Sequence, residues 1–113
     1  MSNSKNFPKM IKVGPFTYNI IIEEGAALND SPASGYIDYD KSEIHIEKEL
    51  SEDCRKTTLI HELIHAILFC SGIDDSNKEI HKVIDIISIG ILDILIRNKQ
   101  LLNYLIKNSE KGD

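Results

Sequence analysis

Tryptophan is absent from these 113 residues, and phenylalanine and tyrosine together reach only 6%. The core must therefore be built mainly from isoleucine and leucine. Cysteine is nearly absent too: Cys54 and Cys70 stand alone, and they read as free thiols in a reducing compartment, since a Cys-metal site needs closer spacing. With three prolines and six glycines, no low-complexity tract or internal repeat emerges. Basic residues are outnumbered 13 to 18, a net charge of −5, which argues against a nucleic-acid grip. No long apolar run is uninterrupted. The most apolar stretch, Ile84 to Ile96, carries Asp85 and Asp93 and stops at Arg97, which excludes a comfortable membrane span. Met1 to Asn6 has no apolar secretion core, so a cytoplasmic protein is expected.

What is present is the composition of one small globular domain, 42% hydrophobic and 27% charged, spanning residues 1–113 with loose ends at 1–8 and 108–113. Lys9 to Val13 alternates as a short strand, Gly14-Pro15 breaks it, and Phe16 to Glu23 is rich in β-branched and aromatic residues, predicting a hairpin. From Glu24 to Ser34 the period is lost, and Asn29-Asp30-Ser31-Pro32 is loop chemistry. Gly35 to Tyr39 and Glu43 to Glu47 form a second hairpin, with Ile44 and Ile46 facing the core and Glu43, His45 and Glu47 facing away.

Three helices follow. Ser51 is a good N-cap, Glu52 and Asp53 suit the positive end of a helix dipole, and Gly72 is the expected C′ residue of a helix ending near Cys70. Leu59, Ile60, Leu63, Ile64, Ile67 and Leu68 are its expected buried positions. A second helix runs from about Lys78 to Arg97, with a stripe of Ile80, Val83, Ile84, Ile87, Ile91, Ile94 and Leu95 read as core. Gly90 weakens it by roughly 1 kcal/mol relative to alanine, which suggests a close helix contact there. A short third helix spans Lys99 to Lys107. The expectation is an α+β fold, in which a three- to four-stranded, mainly antiparallel sheet packs on the first helix and the second long helix.

The chemistry lies in the first helix. His61 and His65 are four apart, about 40° from each other around the axis, so both imidazoles can bind one cation. Glu62 sits about 100° round from His61, beside the metal's open side. This is the H-E-x-x-H pattern, two zinc ligands and a general base. Histidines and a glutamate inside an apolar helix need partners, because unpaired buried charge is costly. A catalytic zinc takes three protein ligands and one open position. Glu79 and His81 both border the buried face of the second helix, and the wheel alone does not separate them. Asp85, four residues after His81, is placed to orient that ring, which favours His81 and keeps Glu79 in reserve.

Together, Gly35-Tyr36-Ile37-Asp38-Tyr39, Ile44-His45-Ile46, the Thr58 to Leu68 helix, and Gly90-Ile91-Leu92 with Arg97-Asn98 make a pattern covering Ile11 to Leu105. It resembles the ImmA/IrrE-type metallopeptidases, specifically the minimal versions often encoded by phages and other mobile elements. The family's next helix resembles E-x-x-A-N-x-F-A-x-x-L, and its leading glutamate is the third zinc ligand. With Ser88 matched to the second alanine, Asp85 falls on the asparagine, Ile91 on the final leucine and His81 on the ligand glutamate. The departure is a histidine where the family carries a carboxylate. The resemblance implies a zinc peptidase with His61, His65 and His81 on the metal and Glu62 as base, acting on a protein or peptide, with a repressor-type regulator of a mobile element as the implied target.

The bland readings stand beside these. Chance matches to H-E-x-x-H are common, but here the motif lies mid-helix between apolar flanks. His45 reads first as an exposed strand residue and only second as a substrate contact. Tyr39 and Tyr104 read first as packing residues and second as oxyanion donors. An extended substrate would add a strand along the edge containing Glu43 to Glu47. The competing function is a zinc-binding interaction module of the same fold that cuts nothing.

Overall fold

The computed structural model describes residues 7–26 and 34–107. Residues 1–6 of the expected loose end 1–8, the end at 108–113 and the Asn29 to Pro32 loop lie outside the described residues, while Phe7 packs against the core. The fold is α+β, as the pattern of elements predicts. In order come β1 (Met10–Val13), β2 (Phe16–Glu23), β3 (Gly35–Asp38), β4 (Glu43–Glu47), α1 (Glu52–Cys70), α2 (Lys78–Arg97) and α3 (Lys99–Lys107).

The four strands form one sheet in the order β1-β2-β4-β3. Both hairpins are antiparallel, with Val13 opposite Phe16 and Asp38 opposite Glu43. They join through a parallel pairing of β2 with β4, Ile20 opposite Ile44 and Ile22 opposite Ile46. The sheet is therefore mixed, because the second hairpin docks with its later strand inward. Residue alternation fixes which face a side chain takes but not which strand of a hairpin lies next to β2.

This order corrects two expectations. β4 is central and β3 is the edge, so the segment Glu43 to Glu47 has no free backbone to offer a substrate. His45 is buried rather than exposed, at 8%. Its ring stacks on the cross-strand Tyr36, centroids 4.5 Å apart and planes within 4°. Nε2 lies 2.9 Å from Glu43 Oε1, and Nδ1 lies 3.2 Å from Glu23 Oε1. Strands on both sides of β4 cover His45, and aromatic stacking and two carboxylates make that burial tolerable for an imidazole.

The core lies between the sheet and α1, and consists of Val13, Tyr18, Ile44, Ile46 and Ala66 with partly buried Ile20, Ile22, Leu59 and Leu63 around them. Gly35 lets β3 approach closely: a Cβ there would stand 2.4 Å from the His45 carbonyl oxygen. α1 begins as expected, Ser51 Oγ accepting the Cys54 N–H at 3.2 Å. It ends in a Schellman motif, with Ile73 N–H donating to Leu68 O, Gly72 N–H to Phe69 O, and Gly72 at φ +76°. Its most buried residues are Arg55, Glu62 and Ala66, while Ile67 is exposed, so the apolar girth of α1 is only partly covered.

The stripe of α2 is where sequence and structure differ most. Only Ile84 and Ser88 are fully buried, and Val83, Ile87, Ile91 and Ile94 are exposed. The expected contact at Gly90 is also missing: no atom of the described residues lies within 4 Å of a Cβ built there. α2 touches α1 along one narrow line and has little else to pack against. Among the described residues, no helix is long and apolar enough to cross a membrane. Cys54 and Cys70 are free thiols.

Candidate metal centre

Three elements and one loop converge beside the edge strand. α1 presents His61, Glu62 and His65 from consecutive turns, and α2 brings in His81 from its first turns. Asp75 comes from the connection between the two helices. That connection is held by short local bonds: Asp74 Oδ1 accepts the Ser76 N–H at 3.0 Å, and Asn77 caps α2 by accepting the Glu79 N–H at 2.6 Å. The bond from Ser76 also keeps the Asp74 carboxyl below its usual range. With Tyr36, Ile37 and Tyr39 from β3 and its end, these residues line a cleft of about 230 Å³.

His61 Nε2 and His65 Nε2 face each other at 3.1 Å. Their opposite nitrogens each rest on a carboxylate, His65 Nδ1 2.5 Å from Asp75 Oδ2 and His61 Nδ1 3.0 Å from Asp85 Oδ1. Carboxylates on Nδ1 leave both Nε2 atoms as acceptors aimed at the same point. Two lone pairs at that distance repel unless a proton or a cation lies between them. The ring of His81 closes the group, with its centroid 5.1 Å from each of the other two. One donor atom from each histidine lies within 4.8 Å of the others, close enough for all three to bind one metal ion. Tetrahedral zinc with bonds of about 2.0–2.1 Å would set its nitrogens roughly 3.3 Å apart. The His61–His65 spacing fits that, and the third donor, on a side chain 53% exposed, has room to close.

Asp85 was expected behind His81. It stands 4.0 Å from His81 Nδ1 but 3.0 Å from His61 Nδ1, so it chiefly orients the histidine of the neighbouring helix. Glu79 does not join the group; it lines an apolar groove with Ile64, Leu68 and Val83 on another side of α2. Asp75 is the residue that sequence reading missed. A lone aspartate in an Asp-Asp-Ser-Asn turn looks like ordinary loop chemistry, and only the fold carries it ten residues back onto His65. Tyr104 is 70% exposed on α3 and takes no part.

The electrostatics suit cation binding. Burial, and then the neighbouring His65, hold His61 below its ordinary value of 6.5, against an opposing pull from Asp85. A neutral imidazole is the ligating form. Glu62 is buried at 6% on the wall of the same cleft. Tyr39 stacks on Phe69 at 4.0 Å. Burial, followed by the charge of Asp75, raises its phenol well above the usual range, so its hydroxyl stays protonated and can donate. Compared with known proteins, the chain matches no family model, no curated protein and no solved structure.

Proposed function

We propose that the protein is a zinc-dependent metallopeptidase, with His61, His65 and His81 as the metal ligands and Glu62 as the general base. The observation that carries this reading is the pair of Nε2 atoms 3.1 Å apart, each ring backed by a carboxylate, with Glu62 in the same cleft. Nitrogen donors of this kind suit zinc among the common divalent ions, and carboxylates behind ligating histidines are the usual supporting arrangement. The chemistry supplied by zinc, when bound, is Lewis acidity toward a peptide carbonyl and an attacking water. Glu62 takes a proton from that water onto a carboxylate oxygen and delivers it to the leaving amine. The protonated Tyr39 hydroxyl is available in the cleft to the carbonyl oxygen as negative charge develops. An extended peptide lies along β3, the edge strand whose Tyr36 and Ile37 line the cleft, with backbone bonds giving affinity and alternate side chains entering pockets. The class of target follows from the resemblance alone: a repressor-type regulator of a mobile element.

The test is Glu62→Gln with an unstructured protein as substrate. Zinc content stays at one per chain while cleavage falls by about 10²–10⁴-fold. Equal cleavage by the variant refutes the mechanism. The second reading, a zinc-stabilised interaction module, draws on His81 standing where the resembling family carries a carboxylate. It is favoured if the wild-type chain holds stoichiometric zinc, cuts nothing, and loses a binding partner when the metal is removed.

A further inference from the structure

Twelve large hydrophobic side chains of α2 and α3 are more than a third exposed, from Leu101 at 37% to Tyr104 at 70%. At on the order of 100 Å² for each fully exposed aliphatic side chain, they present roughly 600 Å² of apolar surface. A monomer rarely exposes a contiguous patch beyond a few hundred Å², and a stable interface takes about 800 Å² from each partner. Within this set Val83, Ile87, Ile91 and Ile94 fall within about 80° of one another around α2 and share one face, whereas Ile89 and Ile96 lie on the opposite side of the helix; the shared face is the one a second helix can cover.

Its pattern indicates what covers it. Val83, Ile87, Gly90 and Ile94 recur at intervals of four, three and four, the seam of a helix that packs along another helix. Glu79 and Arg97 flank this seam on the same side, near its two ends. They have opposite charge, so two copies placed antiparallel are self-complementary. A two-fold axis between Ser88 and Ile89 sets Ile87 opposite Gly90 of the second copy and Val83 opposite its Ile94. It also brings Glu79 within one residue, about 1.5 Å of helix rise, of the level of the second copy's Arg97. Gly90 then has a reason. Among the described residues the space beside it is open, and in this pairing that space receives an isoleucine. The Arg97 side chain, 74% exposed with a 3.8 Å approach to Asp93, is free to reach across.

We infer that the protein forms an isologous homodimer through antiparallel packing of its α2 helices along the Val83–Ile87–Gly90–Ile94 seam, closed at each end by a Glu79–Arg97 pair between copies. The dimer buries the apolar groove of about 300 Å³ between α1 and α2, whose wall includes Ile64, Leu68 and Ile87. The inference is independent of any catalytic activity.

Sedimentation equilibrium of the full chain across the micromolar range tests it, with circular dichroism to verify folding. The expected mass is twice the chain's 12.8 kDa. Glu79→Arg or Arg97→Glu alone places like charges together and weakens association at least about tenfold. The double variant Glu79→Arg/Arg97→Glu restores it to within about threefold, which a merely structural defect would not do. Gly90→Leu, which fills the space for Ile87, gives a folded monomer. A monomeric mass throughout the range overturns the proposal and leaves the face to a different partner. A dimer indifferent to both single charge reversals overturns it as well, placing the interface elsewhere.

Discussion

Replacing Asp75 with asparagine removes one negative charge and almost nothing else. The amide oxygen can still accept the His65 Nδ1–H across the 2.5 Å contact, so the ring keeps its tautomer and orientation. What is lost is the charge that makes Nε2 a better donor to a cation. Loss of a carboxylate behind a ligating histidine costs about 10–100-fold in metal affinity, or about 1.4–2.7 kcal/mol. Asp75 belongs toward the upper end of that range, because its side chain is 26% exposed and solvent screens it weakly. Asp85 provides the internal comparison. It holds His61 at a longer 3.0 Å and is 55% exposed, so Asp85→Asn falls toward the lower end. The assay is zinc competition against a chromophoric chelator at fixed pH, with thermal unfolding of the metal-free proteins alongside. Asp75→Asn should weaken zinc more than Asp85→Asn, with metal-free stability changed by less than about 1 kcal/mol. An Asp75→Asn affinity within about threefold of wild type, or the reverse order of the two variants, refutes the view that Nδ1 carboxylates tune this site.

His81→Ala lowers bound zinc below stoichiometry while Glu79→Ala leaves it unchanged, as measured by metal analysis after desalting; full retention in the histidine variant moves the third ligand elsewhere. Gly35→Ala drives a methyl into the His45 carbonyl, 2.4 Å away. It destabilises the chain by about 1–3 kcal/mol in denaturant unfolding, and an unchanged midpoint would mean that β3 shifts freely. Chelation of the metal lowers the melting temperature, because a ligand that binds only the folded state stabilises it by mass action. The same treatment leaves His61→Ala unaffected.

The boundaries of every helix were legible because their punctuation is local. Ser51 caps its own helix, Gly72 takes the positive φ that closes it, and Asn77 caps the next. His61 and His65 were legible for the same reason: i and i+4 on one helix are neighbours in any fold, and Glu62 followed from the H-E-x-x-H pattern they complete. His81 came within reach because the next helix had to close the site. Asp75, His45 and the order of the strands were not legible, because each depends on a contact that local pattern does not encode. His45 alternates correctly with Ile44 and Ile46 and so reads as outward. Its burial follows from β4 lying between β2 and β3 and from Tyr36 stacking over it. The isoleucines of α2 misled in the opposite direction: an apolar stripe marks a face suited to being covered, and does not say whether the same chain covers it.

The strong and weak halves of the fold meet at the three histidines. The sheet and the inner face of α1 hold the fully buried side chains, whereas α2 contributes only Ile84 and Ser88 at that depth. An aliphatic contact of that size stabilises by a few kcal/mol at most, little to hold a twenty-residue helix on which Val83, Ile87, Ile91 and Ile94 also stand exposed. The polar contacts across the same boundary, Asp85 to His61 and Asp75 to His65, bind the start of α2 and its leading loop to α1. A cation held by His61, His65 and His81 would add a link at that same end, because two of its ligands lie on α1 and the third on α2. Metal binding and the docking of α2 then share one free energy, since the site exists only when the helix is in place. The proposed antiparallel seam is centred on the middle of α2 and runs along its length, on a face about a quarter-turn from the buried Ile84. Polar contacts secure the helix at its start, and the proposed second copy would cover it along its length; together the two attachments would account for a surface that neither explains alone.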